Sequence, residues 1–127
     1  MDLHLLAMVL QVVVSLGLLN VWLVRSGLKT PYRGSNAASL KDEFKAYGLP
    51  FWFFCFIGIL KVGAALILLL GLWLPSLVLP AALTVVFLML GALAMHIKIG
   101  DPWIKSMPAV IMLLLSLSLC LLTTSDR

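Results

Sequence analysis

The chain has 127 residues, 63% of them hydrophobic and 11% charged, with a mean hydropathy of +1.16. A soluble domain carries about a quarter charged residues, so a water-soluble fold is excluded, and the length leaves room for one small domain. The net charge of +4 does not indicate nucleic acid: the basic residues crowd into two short connections beside apolar runs, the pattern of a cytoplasmic membrane face.

The first apolar run, residues 5–24, contains no Asp, Glu, Lys or Arg. At about 1.5 Å per residue it is long enough to cross the hydrocarbon layer. Asp2 and His4 stand where a signal peptide has basic residues and no A-x-A-like site follows, so a retained helix is expected. His4, Gln11, Ser15, Trp22 and Arg25 fall near one face at heptad-like spacing, where polar groups are expected to bond to another helix. Asn20 lies off this stripe.

Over residues 25–49 the composition turns polar, and Gly27, Pro31, Gly34 and Ser35 break any periodicity. Within this loop Leu40, Phe44 and Tyr47 recur at helical spacing opposite Lys41, Asp42 and Lys45, and Ser39 with Asp42 has capping-box spacing. Gly48 and Pro50 end the pattern. It predicts a short amphipathic helix in the membrane interface; the alternative is a turn of exposed loop without membrane contact.

Residues 51–97 are too many for one span, and Gly71, Pro75 and Pro80 mark the fold-back. Helices are predicted over 51–74 and 77–98, with Pro80 in a first turn, where a missing N–H costs little. After the charged connection 98–105, a fourth run covers 106–122. Four helices joined by short turns predict an all-α, integral membrane, antiparallel four-helix bundle over 1–127, with the lipid bilayer as its medium.

Seven basic residues, Arg25, Lys29, Arg33, Lys41, Lys45, Lys98 and Lys105, lie in the connections on one side, against Arg127 on the other. Both connections are therefore expected in the cytoplasm and both termini outside. Trp22, Trp52, Trp73 and Trp103 fall near helix ends, where an aromatic belt would place them.

Lys61 is the most informative residue. It stands ten residues into the second helix, roughly 15 Å along it and near the midplane. A charged Lys there costs about 2.5–3.5 kcal/mol on insertion scales, so it is expected to face protein or water. The simpler reading is that it snorkels toward the basic end. Gly58, Lys61 and Ala65 share one face, whose small residues would admit a neighbouring backbone, which points it inward. Asp101 is the expected counter-ion, bonded directly or through water; Asp42 and Glu43 come within reach only if the first loop folds over the bundle. His96 precedes Asp101 by five residues. A structural hydrogen bond is the plainer expectation for it, with proton handling or ligand contact as the other. One His with one carboxylate is a poor metal site, so no metal is expected. Gly100 and Pro102 suggest a fixed turn around the acid. Lys61, His96 and Asp101, with Lys29 as a fourth member, form the expected functional cluster.

The two cysteines, Cys55 and Cys120, fall about 6 and 21 Å from the same membrane face by helical rise. They cannot approach within the ~7 Å that a disulfide requires and are expected to be free thiols that behave as small apolar groups. Dithiol chemistry on quinones, which needs a C-x-x-C pair, is thereby excluded. Ser116, Cys120 and Thr123 form a weaker polar line that back-bonding to helix carbonyls would explain. There is no phosphate loop, no G-x-S-x-G and no paired carboxylate within the spans, so no catalytic activity of its own is expected.

The whole chain resembles the DoxX-like family of small four-helix membrane proteins. The resemblance is carried by Gly27 to Lys29, Glu43–Phe44, Tyr47–Gly48 with Pro50, Ile57–Gly58 and Gly63–Ala64. Its most specific part is the H-x-x-x-G-D-P stretch of His96, Gly100, Asp101 and Pro102, followed by Lys105 and Pro108–Ala109. That last part is also similar to the acetylcholine-receptor chaperone NACHO, a DoxX-like protein of the endoplasmic reticulum. One departure stands out: the family pattern usually has an acidic residue where this chain has Lys61. A family pairing of that carboxylate with a base such as Lys29 would be inverted here, with Lys61 turned toward Asp101. The resemblance implies little chemistry, since family members are tied to thiosulfate and quinone oxidation, to redox-stress complexes and to receptor assembly.

Two roles follow. One is an accessory or assembly protein of chaperone type, acting on another integral membrane protein or on a second copy of itself through the small residues Gly58, Ala65, Gly91, Ala92 and Ala94. The other is a redox-associated subunit that holds a quinone or another small lipophilic ligand between its helices, with Lys61, His96 and Asp101 at the mouth. No further cofactor is evident.

Overall fold

A computed structural model describes residues 3–24 and 39–125. It is all helical among these residues: α1 (Leu3–Leu19), continued by one π-helical turn (Asn20–Val24), α2 (Leu40–Ala46), α3 (Phe51–Leu70), a 3₁₀ turn (Pro75–Leu77), α4 (Val78–Lys98) and α5 (Trp103–Ser125). Four of these helices are long and apolar enough to cross a membrane. Each packs on two neighbours in the cyclic order α1, α3, α4, α5.

The bundle is inside-out compared with a soluble one. Its core is narrow and made largely of small or branched side chains, with Val14, Ala64, Ala65, Leu68, Ala82, Val85 and Leu119 buried. Its outer wall is apolar, with Ile59, Phe87 and Leu121 each at least 70% exposed, as expected where lipid tails are the solvent. Backbone polar groups stay within the helices, and hydroxyls follow: Ser15 donates to Gln11 O (2.6 Å), Ser116 to Met112 O (2.7 Å) and Thr123 to Leu119 O (2.7 Å). Among the polar stripe of α1, Gln11 bonds across helices, its Nε2 donating to Leu68 O at 3.1 Å. Gly71 makes that reach possible, because a Cβ there would stand 2.6 Å from Val78 Cγ2 and 3.1 Å from the Gln11 amide nitrogen.

Several boundaries differ from the sequence expectation. The second span ends earlier than expected: α3 stops at Leu70, and a turn with a 3₁₀ segment occupies residues 71–77. α5 starts at Trp103, directly after Pro102, and carries Pro108 inside it. Its C-terminus extends through Thr124, whose hydroxyl donates to Cys120 O at 3.0 Å.

Three of the four tryptophans lie near helix ends and face outward, as an aromatic belt would need. Trp52, Trp73 and Trp103 are 69, 77 and 75% exposed, whereas Trp22 is only 8% exposed. The π-helical turn at the end of α1 adds a residue to the helical register, and Trp22 on it lies against protein instead of facing outward. Cys55 and Cys120 are both free thiols, exposed and buried respectively.

Candidate functional site

Within the first loop, α2 folds over the bundle. Ser39 caps it by accepting from Asp42 N at 3.2 Å. Its far end closes in a Schellman motif: Gly48 N donates to Lys45 O and Leu49 N to Phe44 O, both at 3.0 Å, with Gly48 at φ +80°. Lys41, Asp42 and Lys45 point outward, whereas Glu43, Phe44 and Tyr47 are buried. The apolar stripe of α2 is thus satisfied by protein. Phe44 meets Trp22 edge-on at 5.8 Å and Phe54 at 5.3 Å, and Trp22 stacks on Phe54 at 5.2 Å.

Lys61 lies beneath this aromatic knot, half-buried, on the inward face of α3. Its Nζ sits 5.2 Å from the Trp22 ring centroid, within the range of a cation–π contact. Gly58, one turn earlier, admits that indole. A Cβ on Gly58 would lie 2.8 Å from Trp22 Cζ3, so the small residue makes room for a ring, where a backbone had been expected. Ala65, on the same face, is fully buried.

No direct bond joins Lys61 to Asp101 among the described residues. The side chain bonded to Asp101 there is His96, with Nδ1 and Oδ2 2.8 Å apart and both side chains almost fully buried. The cause is local: α4 ends in a second Schellman motif, with Gly100 at φ +69°, Gly100 N donating to Ile97 O (3.1 Å) and Asp101 N to His96 O (3.0 Å). The motif folds Asp101 back onto the last turn of its own helix, directly over His96. Glu43 on α2 is the acid whose charge acts on Lys61. Its carboxylate also accepts from the Tyr47 hydroxyl. Tyr47 in turn meets the His96 ring edge-on at 5.9 Å, and Lys98 Nζ donates to Tyr47 O at 3.2 Å. Lys29 lies outside the described residues.

Trp22, Tyr47 and Lys105 are residues whose place here the sequence reading does not give, whereas Glu43, expected within reach of Lys61 only if the first loop folds over the bundle, is the acid that acts on it. Glu43 and Tyr47 are four apart and share the buried face of α2, a spacing that would have shown them together once the helix was placed over the bundle. Lys105, only 7% exposed, stands in the sequence reading as a positive charge of its connection and within the stretch that carries the family resemblance, not as a residue lining a cavity.

These groups border a cavity of about 420 Å³ between α1, α3, α4 and α5. Trp22, Glu43, Lys61, His96 and Lys105 form its polar end, and Met89, Met107 and Met112, with Leu18 and Ala109, its apolar wall. Pockets of this size and character take small molecules whose apolar body fills the slot while a few polar groups fix the head. Methionine walls adapt to varied shapes. No group of three metal-ligating side chains is found among the described residues.

A family model described as the DoxX-like family matches residues 14–118, a stretch that includes the cavity-lining segments of all four long helices. Neither the curated proteins nor the solved structures give a match.

Proposed function

The chain belongs to the DoxX-like family, and from that premise we propose that it is a membrane protein that binds a small lipophilic molecule with a hydrogen-bonding head, quinones being one such class, between its helices at the basic end. The observation that carries the reading is the join, in one cavity, of an apolar methionine-rich wall with Lys61, His96 and Glu43. Keeping an ammonium at this depth is costly unless it serves a pair or a site, and among the described residues Lys61 has an aromatic face and a neighbouring charge but no direct carboxylate bond. The test is organic extraction of the purified protein followed by mass spectrometry. A lipophilic compound in near-equal amount to protein is expected. Ala92→Phe, which fills the cavity from α4, is expected to remove it; extraction of bulk lipid alone, equal in both proteins, would contradict the reading.

A second reading, an accessory or assembly role on another integral membrane protein or on a second copy of the chain, is favoured by the outer face of α4. Gly58 and Ala65 are used up inside the bundle, whereas Gly91 and Ala94 are exposed beside Phe87 and Ile97, and a Cβ at Gly91 would meet nothing within 4 Å. Close helix packing from outside needs such a surface. Copurification of a defined partner in mild detergent, lost in Gly91→Phe, tests this role.

For the membrane orientation we propose that the basic end, with α2 and the cavity, faces the cytoplasm, on the strength of the seven basic residues gathered there.

A further inference from the structure

The structure assigns a second ligand site to the end of the bundle away from Lys61, where a cavity of about 330 Å³ takes a neutral, chain-bearing alcohol with its hydroxyl on the side-chain oxygen of Gln11. The cavity lies between the start of α1, the turn joining α3 to α4 and the end of α5, and it shares no described lining residue with the Lys61 cavity.

The assignment begins with an amide. Gln11 is 4% exposed, and its Nε2 donates to Leu68 O at 3.1 Å. That contact fixes which way the amide faces, because turning it over would set its oxygen against a carbonyl oxygen. The side chain lines the cavity, yet Gln11 Oε1 has no hydrogen-bond partner among the described residues. A buried acceptor without a donor is costly, and a molecule in the cavity can bring one.

The chemistry of that donor follows. An ionised carboxylate has no hydrogen for the oxygen to accept. An ammonium has, but an amide oxygen gives it no countercharge. A hydroxyl donates to Gln11 Oε1 and still accepts, and the same cavity offers the Ser76 hydroxyl as a donor at its exposed rim. The wall of Met8, Leu72, Val78 and Leu122 is apolar and favours a carbon chain over a cluster of water. Leu68 lies two residues before the end of α3, so the amide sits just inside the end of the span, the depth at which amphiphiles carry their polar heads. One hydrogen bond and a short buried chain make the binding weak and exchanging, so titration reads it and copurification does not.

The test is photolabelling of the full-length protein in detergent with a diazirine-bearing medium-chain primary alcohol, its methyl ether and the matching primary amine, mapped by mass spectrometry to the peptides that contain Met8 and Leu122. Saturable labelling there, with half-saturation by the alcohol roughly tenfold below that of the ether and the amine, supports the site. Gln11→Leu is expected to erase the preference for alcohol over ether. Because that variant also loses the bond to Leu68, Ala7→Phe serves beside it: it fills the cavity, leaves Gln11 in place and is expected to abolish saturable labelling, with thermal unfolding confirming that it folds. Equal half-saturation by alcohol and ether, tighter binding of the amine, or a preference unchanged in folded Gln11→Leu overturns the hydroxyl assignment. Labelling that does not saturate, or that is the same in Ala7→Phe, overturns the site itself and leaves Gln11 Oε1 to water.

Discussion

The indole of Trp22 fills the space in front of Gly58, so that a Cβ on that glycine would stand 2.8 Å from Cζ3. This contact joins α1 to α3 at the depth of Lys61 and fixes the ring that the ammonium faces. Gly58→Ala is expected to destabilise the protein by about 1–3 kcal/mol, the usual cost of overpacking. Trp22→Phe introduced with it should recover part of that loss. Thermal unfolding in detergent measures both, and a Gly58→Ala protein as stable as the parent would mean that the ring is not held there.

The turn at Gly100 is a second point of tension. Its φ of +69° suits glycine, and a Cβ costs roughly 1–2 kcal/mol in that region. Gly100→Ala is expected to lower stability by about that amount. The expected loss comes from the backbone, since a Cβ at Gly100 would touch nothing within 4 Å. Gly100→Asn, which tolerates the left-handed region, should cost less. Equal effects of Ala and Asn would contradict the Schellman geometry.

Because Asp101 is bonded to His96, the two should behave as one unit. Asp101→Asn and His96→Gln are each expected to cost about 1–3 kcal/mol, the range for a buried polar partner left unsatisfied. The double variant should cost less than the sum, by about 0.5–3 kcal/mol. The cost of Asp101→Asn, in contrast, should be the same with and without Lys61→Met. Coupling to Lys61 instead of His96 would restore the direct pairing that the sequence alone suggests.

The bundle was legible because a membrane imposes it: spans of the required length must be apolar, and turns collect Gly, Pro and charge. The capped helix at Ser39 was legible for the same kind of local reason. The partners of Lys61 were not. Asp101 looked nearest because helix ends were treated as interchangeable points, whereas the Gly100 turn directs its carboxylate back onto His96. Glu43 reaches Lys61 because α2 folds over the bundle, an arrangement the sequence leaves open without deciding, and Trp22 through an inserted π-turn, which leaves no periodic trace. The inward face of Gly58, Lys61 and Ala65 was readable from spacing, but what occupies the space in front of it was not.

Orientation has its own test. With the seven basic connection residues facing the cytoplasm, reporter fusions at residue 127 should report an external location and insertions near residue 35 a cytoplasmic one. The reverse pattern would show that these charges serve the cavity and α2, with no part in setting topology.

The most direct measurement is native mass spectrometry of the protein and its Lys61→Met variant, released from mild detergent. Replacing a buried charge by an apolar side chain of similar length need not destabilise, so the variant is expected to fold and accumulate normally. The parent should carry a discrete lipophilic adduct of defined mass that the folded variant lacks. The same adduct on both proteins, or none on the parent, would contradict the assignment of Lys61 and its cavity as the ligand site.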